Sequence, residues 1–201
     1  MLDFSSPFLE KGEKLVCFGD SLTAQQCSYV NHLKAALPDN EIINSGLGGD
    51  KTTAALTRLE QDVISHHPDA VFIMFGANDA AVGRNIWADE PVVTPEAYRC
   101  NLIWLAHICR MRGISKISIA TAFGFEGGSF TRFGKIIEPY YLAARAAADE
   151  AKARLVPLDS LFDSLRGGAP LSETRVNPDG THPSPETYEK IAKAILKAWN
   201  L

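Results

Sequence analysis

The sequence predicts an α/β fold in which a parallel sheet of about five strands is covered by helices on both faces. Five short runs rich in β-branched and aromatic residues alternate with longer stretches of helical periodicity, which is the pattern of repeated β-α-β units. The runs are nearly continuous in apolar residues, as expected of parallel strands buried on both faces. No linker, repeat or low-complexity segment interrupts the chain, so residues 1–201 are predicted to form a single domain.

The five predicted strands are short apolar runs that end in turn residues. The first, KLVCFG, leads into Asp and Ser, and the second, EIINSG, leads into a glycine-rich segment. The last three have the sequences AVFIMFG, KISIATA and ARLVPLD. The predicted strands are 14–19, 41–46, 70–76, 116–122 and 153–159.

Five helices are predicted between and after these strands. The third has apolar residues at intervals of four, three and four, which places them on one helical face: Tyr98, Leu102, Leu105 and Cys109. Pro95 opens this helix and Gly113 closes it, and Pro139 suits the first turn of the fourth helix. The predicted helices are approximately 24–37, 51–66, 95–112, 138–152 and 185–199.

Composition and charge argue against several classes of protein. The chain is 46% hydrophobic and 22% charged, which is typical of a globular domain, and its net charge of −4 argues against electrostatic binding of nucleic acid. No apolar run reaches the length of about 18 residues that a membrane-spanning helix needs. The first residues lack the basic and apolar regions of a signal peptide. We therefore expect a cytoplasmic protein, and the sequence leaves its oligomeric state open.

The four cysteines give no sign of a metal site. Cys17, Cys27, Cys100 and Cys109 form neither a Cys-x-x-Cys pair nor the spacing of a zinc finger. We expect Cys17 to lie in a strand and the others in helices, as buried free thiols in preference to disulfides.

Four segments with chemically active residues follow strands or precede the last helix. They are GDS at 19–21, NSGLGGDKT at 44–52, GANDA at 76–80 and NPDGTHPSPE at 177–186. In open α/β sheets, ligands bind beyond the carboxyl ends of the strands. Each segment also has a purely structural interpretation, as a helix cap, a glycine turn, an Asx turn or a helix entry.

Together, these segments supply every role that acyl transfer requires. The hydroxyl of Ser21 needs a base to become a nucleophile, and His182 has Asp179 three residues before it to orient the imidazole. The backbone N–H groups of Ser21 and Gly49, with the amide of Asn78, could stabilise an oxyanion. Asp179 and His182 could instead hold a metal ion, but no third His or Cys joins them, so we expect no metal.

On these motifs the chain resembles the GDSL esterases and lipases, also called SGNH hydrolases. The matching residues occur in the family's order, from about residue 14 to 199: Ser21 in GDSLT, Gly49 in NSGLGGDKT, Asn78 in GAND, and Asp179 and His182 in DGTHPS. GDSL alone is a weak signal, whereas this combination is highly specific. The sequence departs from many members at 24–26, where AQQ follows GDSLT without a glycine.

The resemblance implies a flavodoxin-like, three-layer αβα fold with a parallel sheet of about five strands. It also implies hydrolysis of carboxylic esters by a Ser-His-Asp triad through an acyl-enzyme, with no cofactor. Ser21 would be the nucleophile, His182 the general base and Asp179 its orienting carboxylate.

Two longer segments, 80–94 and 123–135, follow strands and are expected to border the catalytic crevice. They carry Trp87, Phe123 and Phe125 among glycines and charges, which suits an open cleft with aromatic walls. The aromatic residues could equally pack within their own loops. With no basic amphipathic helix to dock on lipid, we expect short-chain, small-molecule esters to be the substrates.

Several alternative functions remain open on the sequence. Within the same chemistry, the protein could be a carbohydrate O-acetylesterase, a lysophospholipase-like acylhydrolase or an acyltransferase. Outside it, the chain could be a non-catalytic binding protein of the same fold, or a flavodoxin-type binder of phosphates or nucleotides.

Overall fold

The sheet is made of five parallel strands in the order β2-β1-β3-β4-β5. The computed structural model describes residues 5–81, 93–124, 131–169 and 176–201, and only the backbone of 131–136. The strands are β1 (Lys14–Gly19), β2 (Glu41–Gly46), β3 (Ala70–Met74), β4 (Lys116–Ala120) and β5 (Arg154–Val156). All five predicted strands are confirmed, with β3, β4 and β5 shorter than expected.

The strand order creates a crevice at the carboxyl edge of the sheet. The chain passes from β1 outward to β2 and then crosses to β3 on the other side of β1, so the order reverses between β1 and β3. In the register of the sheet, Gly19 of β1 lies opposite Gly46 of β2 and Met74 of β3. The segments that follow these three residues therefore start side by side.

Helices cover both faces of the sheet. Helices α3, α4 and α5 pack against one another in one layer, and α2 packs against α7 in the other. The helices are α1 (Ser21–Ala24), α2 (Tyr29–Ala36), α3 (Thr52–Asp62), α4 (Pro95–Met111), α5 (Thr131–Glu150), α6 (Leu158–Arg166) and α7 (Pro185–Ala198).

Three helices differ from the sequence prediction. Helix α5 begins at Thr131, so Pro139 lies inside it and not in its first turn. Helix α6 was not predicted, because the run 153–159 indicated a longer strand, whereas β5 ends at Val156 and α6 begins at Leu158. The short helix α1, which starts at Ser21, was also missed.

Aromatic side chains fill the layer between the sheet and the α2–α7 pair. The ring of Phe72 on β3 makes edge contacts with Tyr29 of α2 and Trp199 after α7, at centroid distances of 5.6 and 5.4 Å. Phe8 packs on Trp199 at 4.8 Å and donates its N–H to the Trp199 carbonyl at 2.9 Å. The indole N–H of Trp199 donates to Ser118 Oγ at 2.9 Å, which satisfies a buried donor.

The cysteines are only partly as expected. All four are free, and Cys17 and Cys109 are buried. Cys100 is half-buried, and Cys27 is exposed in the turn between α1 and α2, so the expectation of a buried helical thiol at position 27 was wrong. Among the helices in the described part of the chain, none is long and apolar enough to cross a membrane.

Candidate active site

Ser21 lies just after the end of β1, as the first residue of α1. Asp20 caps this helix, because its carboxylate accepts the N–H of Leu22 at 2.9 Å. The turn depends on Gly19, since a Cβ there would lie 2.1 Å from Thr23 Oγ1 and 2.6 Å from the carbonyl oxygen of Met74. The strand therefore turns sharply into α1 and leaves the Ser21 side chain partly exposed at the crevice.

His182 and Asp179 lie within hydrogen-bond reach of Ser21. The Nε2 atom of His182 is 3.0 Å from Ser21 Oγ, and its Nδ1 atom is 2.7 Å from Asp179 Oδ2. A carboxylate only accepts hydrogen bonds, so Nδ1 carries the proton and Nε2 presents its lone pair to the serine hydroxyl. The three side chains thus form a continuous hydrogen-bonded row from Ser21 through His182 to Asp179.

The segment that carries Asp179 and His182 is folded by the aspartate itself. Asp179 Oδ1 accepts the backbone N–H groups of Thr181 and His182 at 2.8 and 2.6 Å, and Gly180 adopts a positive φ of 83° between them. Partial burial alone would raise the pKa of Asp179. The hydrogen bonds from the His182 and Thr181 backbones and from the imidazole outweigh it and hold the pKa below its usual value. Asp179 is therefore ionised at neutral pH.

Gly49 lies in a tight turn that faces the end of β1. The N–H of Asp50 donates to the carbonyl of Leu47 at 3.3 Å, and the N–H of Leu47 donates to the carbonyl of Gly19 at 3.0 Å. Gly49 has a φ of 78°, which a residue with a side chain rarely adopts. The turn is thereby held against the strand that leads to Ser21.

Asn78 is attached to the same turn from the side of β3. Its side-chain Nδ2 donates to the backbone carbonyl of Asp50 at 2.9 Å, and the residue is buried. An amide nitrogen has two hydrogens, so this bond leaves a second donor on Nδ2. The structure therefore brings Ser21, Gly49 and Asn78 together around one region at the carboxyl edge of the sheet.

Comparison with known proteins identifies the family. A model of the GDSL-like lipase/acylhydrolase family matches residues 17–190. The chain belongs to this family. The resemblance inferred from the motifs is thus confirmed, and its esterase relatives place the chain among carboxylic ester hydrolases.

Three similar proteins illustrate the family. The chain is 37% identical over 153 residues to the uncharacterized lipoprotein YqeF of Bacillus subtilis (strain 168), which covers 70% of this chain and 59% of that protein. It is also 37% identical over 197 residues to an arylesterase of Vibrio mimicus, and the match covers 94% of this chain and 88% of that protein. The crystal structure of Axe2, an acetylxylan esterase from Geobacillus stearothermophilus, superposes with a TM-score of 0.81 at 25% identity, covering 95% of each chain.

In this GDSL-like hydrolase, two buried aspartates directly adjoin candidate site residues, and the sequence analysis assigned them no role. Asp20 precedes Ser21, and Asp79 follows Asn78. Burial raises the pKa of Asp20 to about 7 and that of Asp79 to about 6. Asp79 accepts the N–H and the hydroxyl of Thr52, whose hydroxyl in turn accepts from Asn101 at 2.9 Å. This network fixes the start of α3 against the segment that carries Asn78.

Two further residues missed by the sequence analysis hold the active-site segments in place. Arg58 of α3 donates to the carbonyl of Gly19 and to the carboxylate of Asp50. Asn177 donates from Nδ2 to the carbonyl of Gly124 at 2.7 Å, which ties the Asp179–His182 segment to the segment that follows β4. The bonds from Arg58 to Gly19 and from Asn177 to Gly124 join residues 39 and 53 positions apart, so no local spacing could have indicated them.

The predicted substrate-binding aromatic residues are only partly described. Trp87 and Phe125 lie outside the described residues. Phe123 is buried, with its ring packed edge-on against Phe162 at a centroid distance of 5.2 Å, so contact between Phe123 and a substrate stays a prediction. Within the described ranges, no group of three or more His, Cys, Asp or Glu side chains is arranged to hold a metal ion.

Proposed function

We propose that this GDSL-like hydrolase is a serine esterase that cleaves short-chain carboxylic esters through an acyl-enzyme. The observation that carries the proposal is the pair of hydrogen bonds from Ser21 Oγ to His182 Nε2 and from His182 Nδ1 to Asp179 Oδ2. The serine and the histidine are 161 positions apart in the chain, and the fold brings them within hydrogen-bond reach. Capping and loop closure alone would not require this alignment.

In the first half of the reaction, Ser21 Oγ attacks the ester carbonyl while its proton passes to His182 Nε2. The carbonyl oxygen gains negative charge, which the N–H groups of Ser21 and Gly49 and the free donor of Asn78 stabilise. The protonated imidazole then donates its proton to the departing alkoxide. An acyl group is left on Ser21, and the alcohol is released.

In the second half, water replaces the alcohol. His182 removes a proton from the water as it attacks the acyl carbon, and then returns that proton to Ser21 Oγ as the acid leaves. Asp179 keeps the proton on Nδ1 throughout and stabilises the imidazolium that forms in each half. Its side chain is 57% exposed, so water screens part of this electrostatic effect.

A carbohydrate O-acetylesterase is the second candidate function. The similarity to Axe2 over nearly the whole length of both chains favours it, because that protein is an acetylxylan esterase. Solved catalytic mutants of Axe2 replace a serine, an aspartate and a histidine, which are the residue types of the row described above. Acetate is also the shortest common acyl group, so both candidates predict activity on acetyl esters.

Replacement of the nucleophile tests the proposal. Ser21→Ala should fold normally, lower kcat on p-nitrophenyl acetate by about 10³-fold or more, and abolish labelling by a fluorophosphonate probe. Ser65→Ala is a matched control, because Ser65 is exposed and donates to the local carbonyl of Gln61. Near-normal turnover by Ser21→Ala would refute the assignment, and an unlabelled wild-type protein would favour the non-catalytic binding alternative.

The substrate class is tested with two sets of esters. A p-nitrophenyl series should show the highest kcat/KM from acetate to butyrate, whereas a steady rise towards eight to twelve carbons would favour a lysophospholipase-like role. Release of acetate from acetylated xylo-oligosaccharides at higher kcat/KM than from p-nitrophenyl acetate would favour the O-acetylesterase. Cell fractionation would test the cytoplasmic location, which stays a prediction given a relative named as a lipoprotein.

A further inference from the structure

Arg58 connects the strand that leads to Ser21 with the turn that carries Gly49. Its Nη2 donates to the carbonyl of Gly19 at 2.9 Å, two residues before Ser21. Its Nε donates to the carboxylate of Asp50 at 2.7 Å, directly after Gly49. One planar guanidinium therefore holds both backbone segments whose N–H groups are proposed to stabilise the oxyanion.

The guanidinium of Arg58 is itself held by further hydrogen bonds and by an aromatic ring. Nη1 donates to the carbonyl of Ser45 at 3.0 Å and to the carboxylate of Asp62 at 2.9 Å. The guanidinium carbon lies 4.2 Å from the centroid of the Phe18 ring, a distance typical of a cation–π contact. The side chain is only 13% exposed, so these contacts are poorly screened by solvent.

We propose that Arg58 is a positioning residue for the oxyanion site, which sets the separation between the backbone N–H groups of Ser21 and Gly49. The inference rests on the proposed esterase function. Arg58 does not contact the serine, the histidine or the aspartate of the row, so it acts through the backbone that it holds. A donor misplaced by a fraction of an ångström loses much of its stabilisation of the transition state, whereas ground-state binding changes little.

Lysine cannot reproduce this arrangement. Its ammonium group is a single point of charge, whereas the fork of arginine places donors on two sides at a fixed separation. Asp50 is buried, which raises the pKa of its carboxyl, and the hydrogen bond and charge of Arg58 oppose that rise. Arg58→Lys therefore retains a positive charge near Asp50 but cannot also hold Gly19 and Ser45.

The test measures kcat and KM separately in Arg58→Lys. We expect KM for p-nitrophenyl acetate to stay within about twofold and kcat per fluorophosphonate-titrated site to fall about 10- to 100-fold, a part of what loss of a whole donor costs. Arg145→Lys is the matched control, because Arg145 makes a comparable forked contact with Asp159 that joins α5 to α6. This control should lower the melting temperature without lowering kcat per titrated site more than about twofold.

Three results separate the outcomes. Folded Arg58→Lys with kcat within about twofold of wild type overturns the positioning role. A wild-type protein that neither labels nor hydrolyses esters overturns the esterase function, and the role of Arg58 with it. Should Arg58→Lys fail to fold, Asp50→Ala tests the same bridge from its other end, and kcat must fall at least tenfold with KM within about twofold for the role to stand.

Discussion

The buried carboxyl of Asp20 contributes to the pH dependence of the stability of the protein, and Asp20→Asn should remove that contribution. The residue is 2% exposed, and its side chain accepts a hydrogen bond from the N–H of Leu22. Burial raises its pKa to about 7, with the charges of Asp79 and Asp50 adding to the rise. An aspartic acid in an unfolded chain has a pKa of about 3.9, so folding raises the pKa of Asp20 by about three.

The direction and size of this pH effect on stability follow from the different pKa values of Asp20 in the folded and unfolded states. Between about pH 4 and pH 7 the unfolded chain has lost this proton while the folded protein keeps it, so the free energy of unfolding falls as pH rises through that window. Three units correspond to about 4 kcal/mol at 1.36 kcal/mol per unit. Asparagine carries no charge and retains an oxygen to cap Leu22. The free energy of unfolding of Asp20→Asn, relative to that of wild type, should therefore be about 4 kcal/mol higher at pH 8 than at pH 4.

Urea unfolding at half-unit intervals from pH 4 to pH 8, followed by the fluorescence of the buried Trp199, measures this difference. Asp20→Ser is a second uncharged cap and should show the same trend. A difference between wild type and Asp20→Asn that stays constant within about 1 kcal/mol across the range would show that Asp20 is ionised in the folded protein throughout. The physical argument from burial would then be refuted.

Three further predictions concern the candidate site. Asn78→Ala should lower kcat about 10²- to 10³-fold with little change in KM, and steady-state kinetics beside a melting curve would expose a purely structural role as lost stability with normal kcat. Asp179→Asn should lower kcat by about 10³- to 10⁴-fold while His182 stays in place, and a loss under tenfold would contradict its orienting role. Gly46→Ala should cost about 1–3 kcal/mol in urea unfolding, because the added Cβ would lie 2.3 Å from the backbone nitrogen of Ala24, whereas Gly48→Ala, with nothing within 4 Å, should unfold like wild type.

The sequence predicted best those features that depend on a short run or a short spacing of residues. Strands β1, β3 and β4 could be predicted because buried parallel strands require continuous apolar runs, and the run at 70–74 is buried at every position. The pairing of Asp179 with His182 could be predicted from their spacing of three, which the structure accounts for by a turn that the aspartate itself caps. In both cases the sequence pattern that supports the prediction spans only a few neighbouring residues.

Elements set by distant contacts could not be predicted in this way. Helix α6 begins directly after Pro157. Its first two residues, Leu158 and Asp159, continued the pattern of the predicted strand, so the start of the helix was not recognised. Asp79 and Asn177 carried no local signal, since their partners lie 27 and 53 residues away. The spacing of four between Arg58 and Asp62 gave no indication of the bond from Arg58 to Gly19, 39 residues away. The sequence shows which groups can do chemistry, whereas the groups that hold them become visible only in three dimensions.

The distance along the chain between Ser21 and His182 has a consequence for synthesis. Strand β1 and its neighbours β2 and β3 all lie before residue 75, so the centre of the sheet can pair early as the chain leaves the ribosome. The imidazole of His182, which is hydrogen-bonded to Ser21, comes 161 residues after the serine and just before α7. A nascent chain truncated before His182 should therefore be unable to hydrolyse esters, however complete its sheet. Appearance of activity during translation would time the docking of α7 and not the folding of the core.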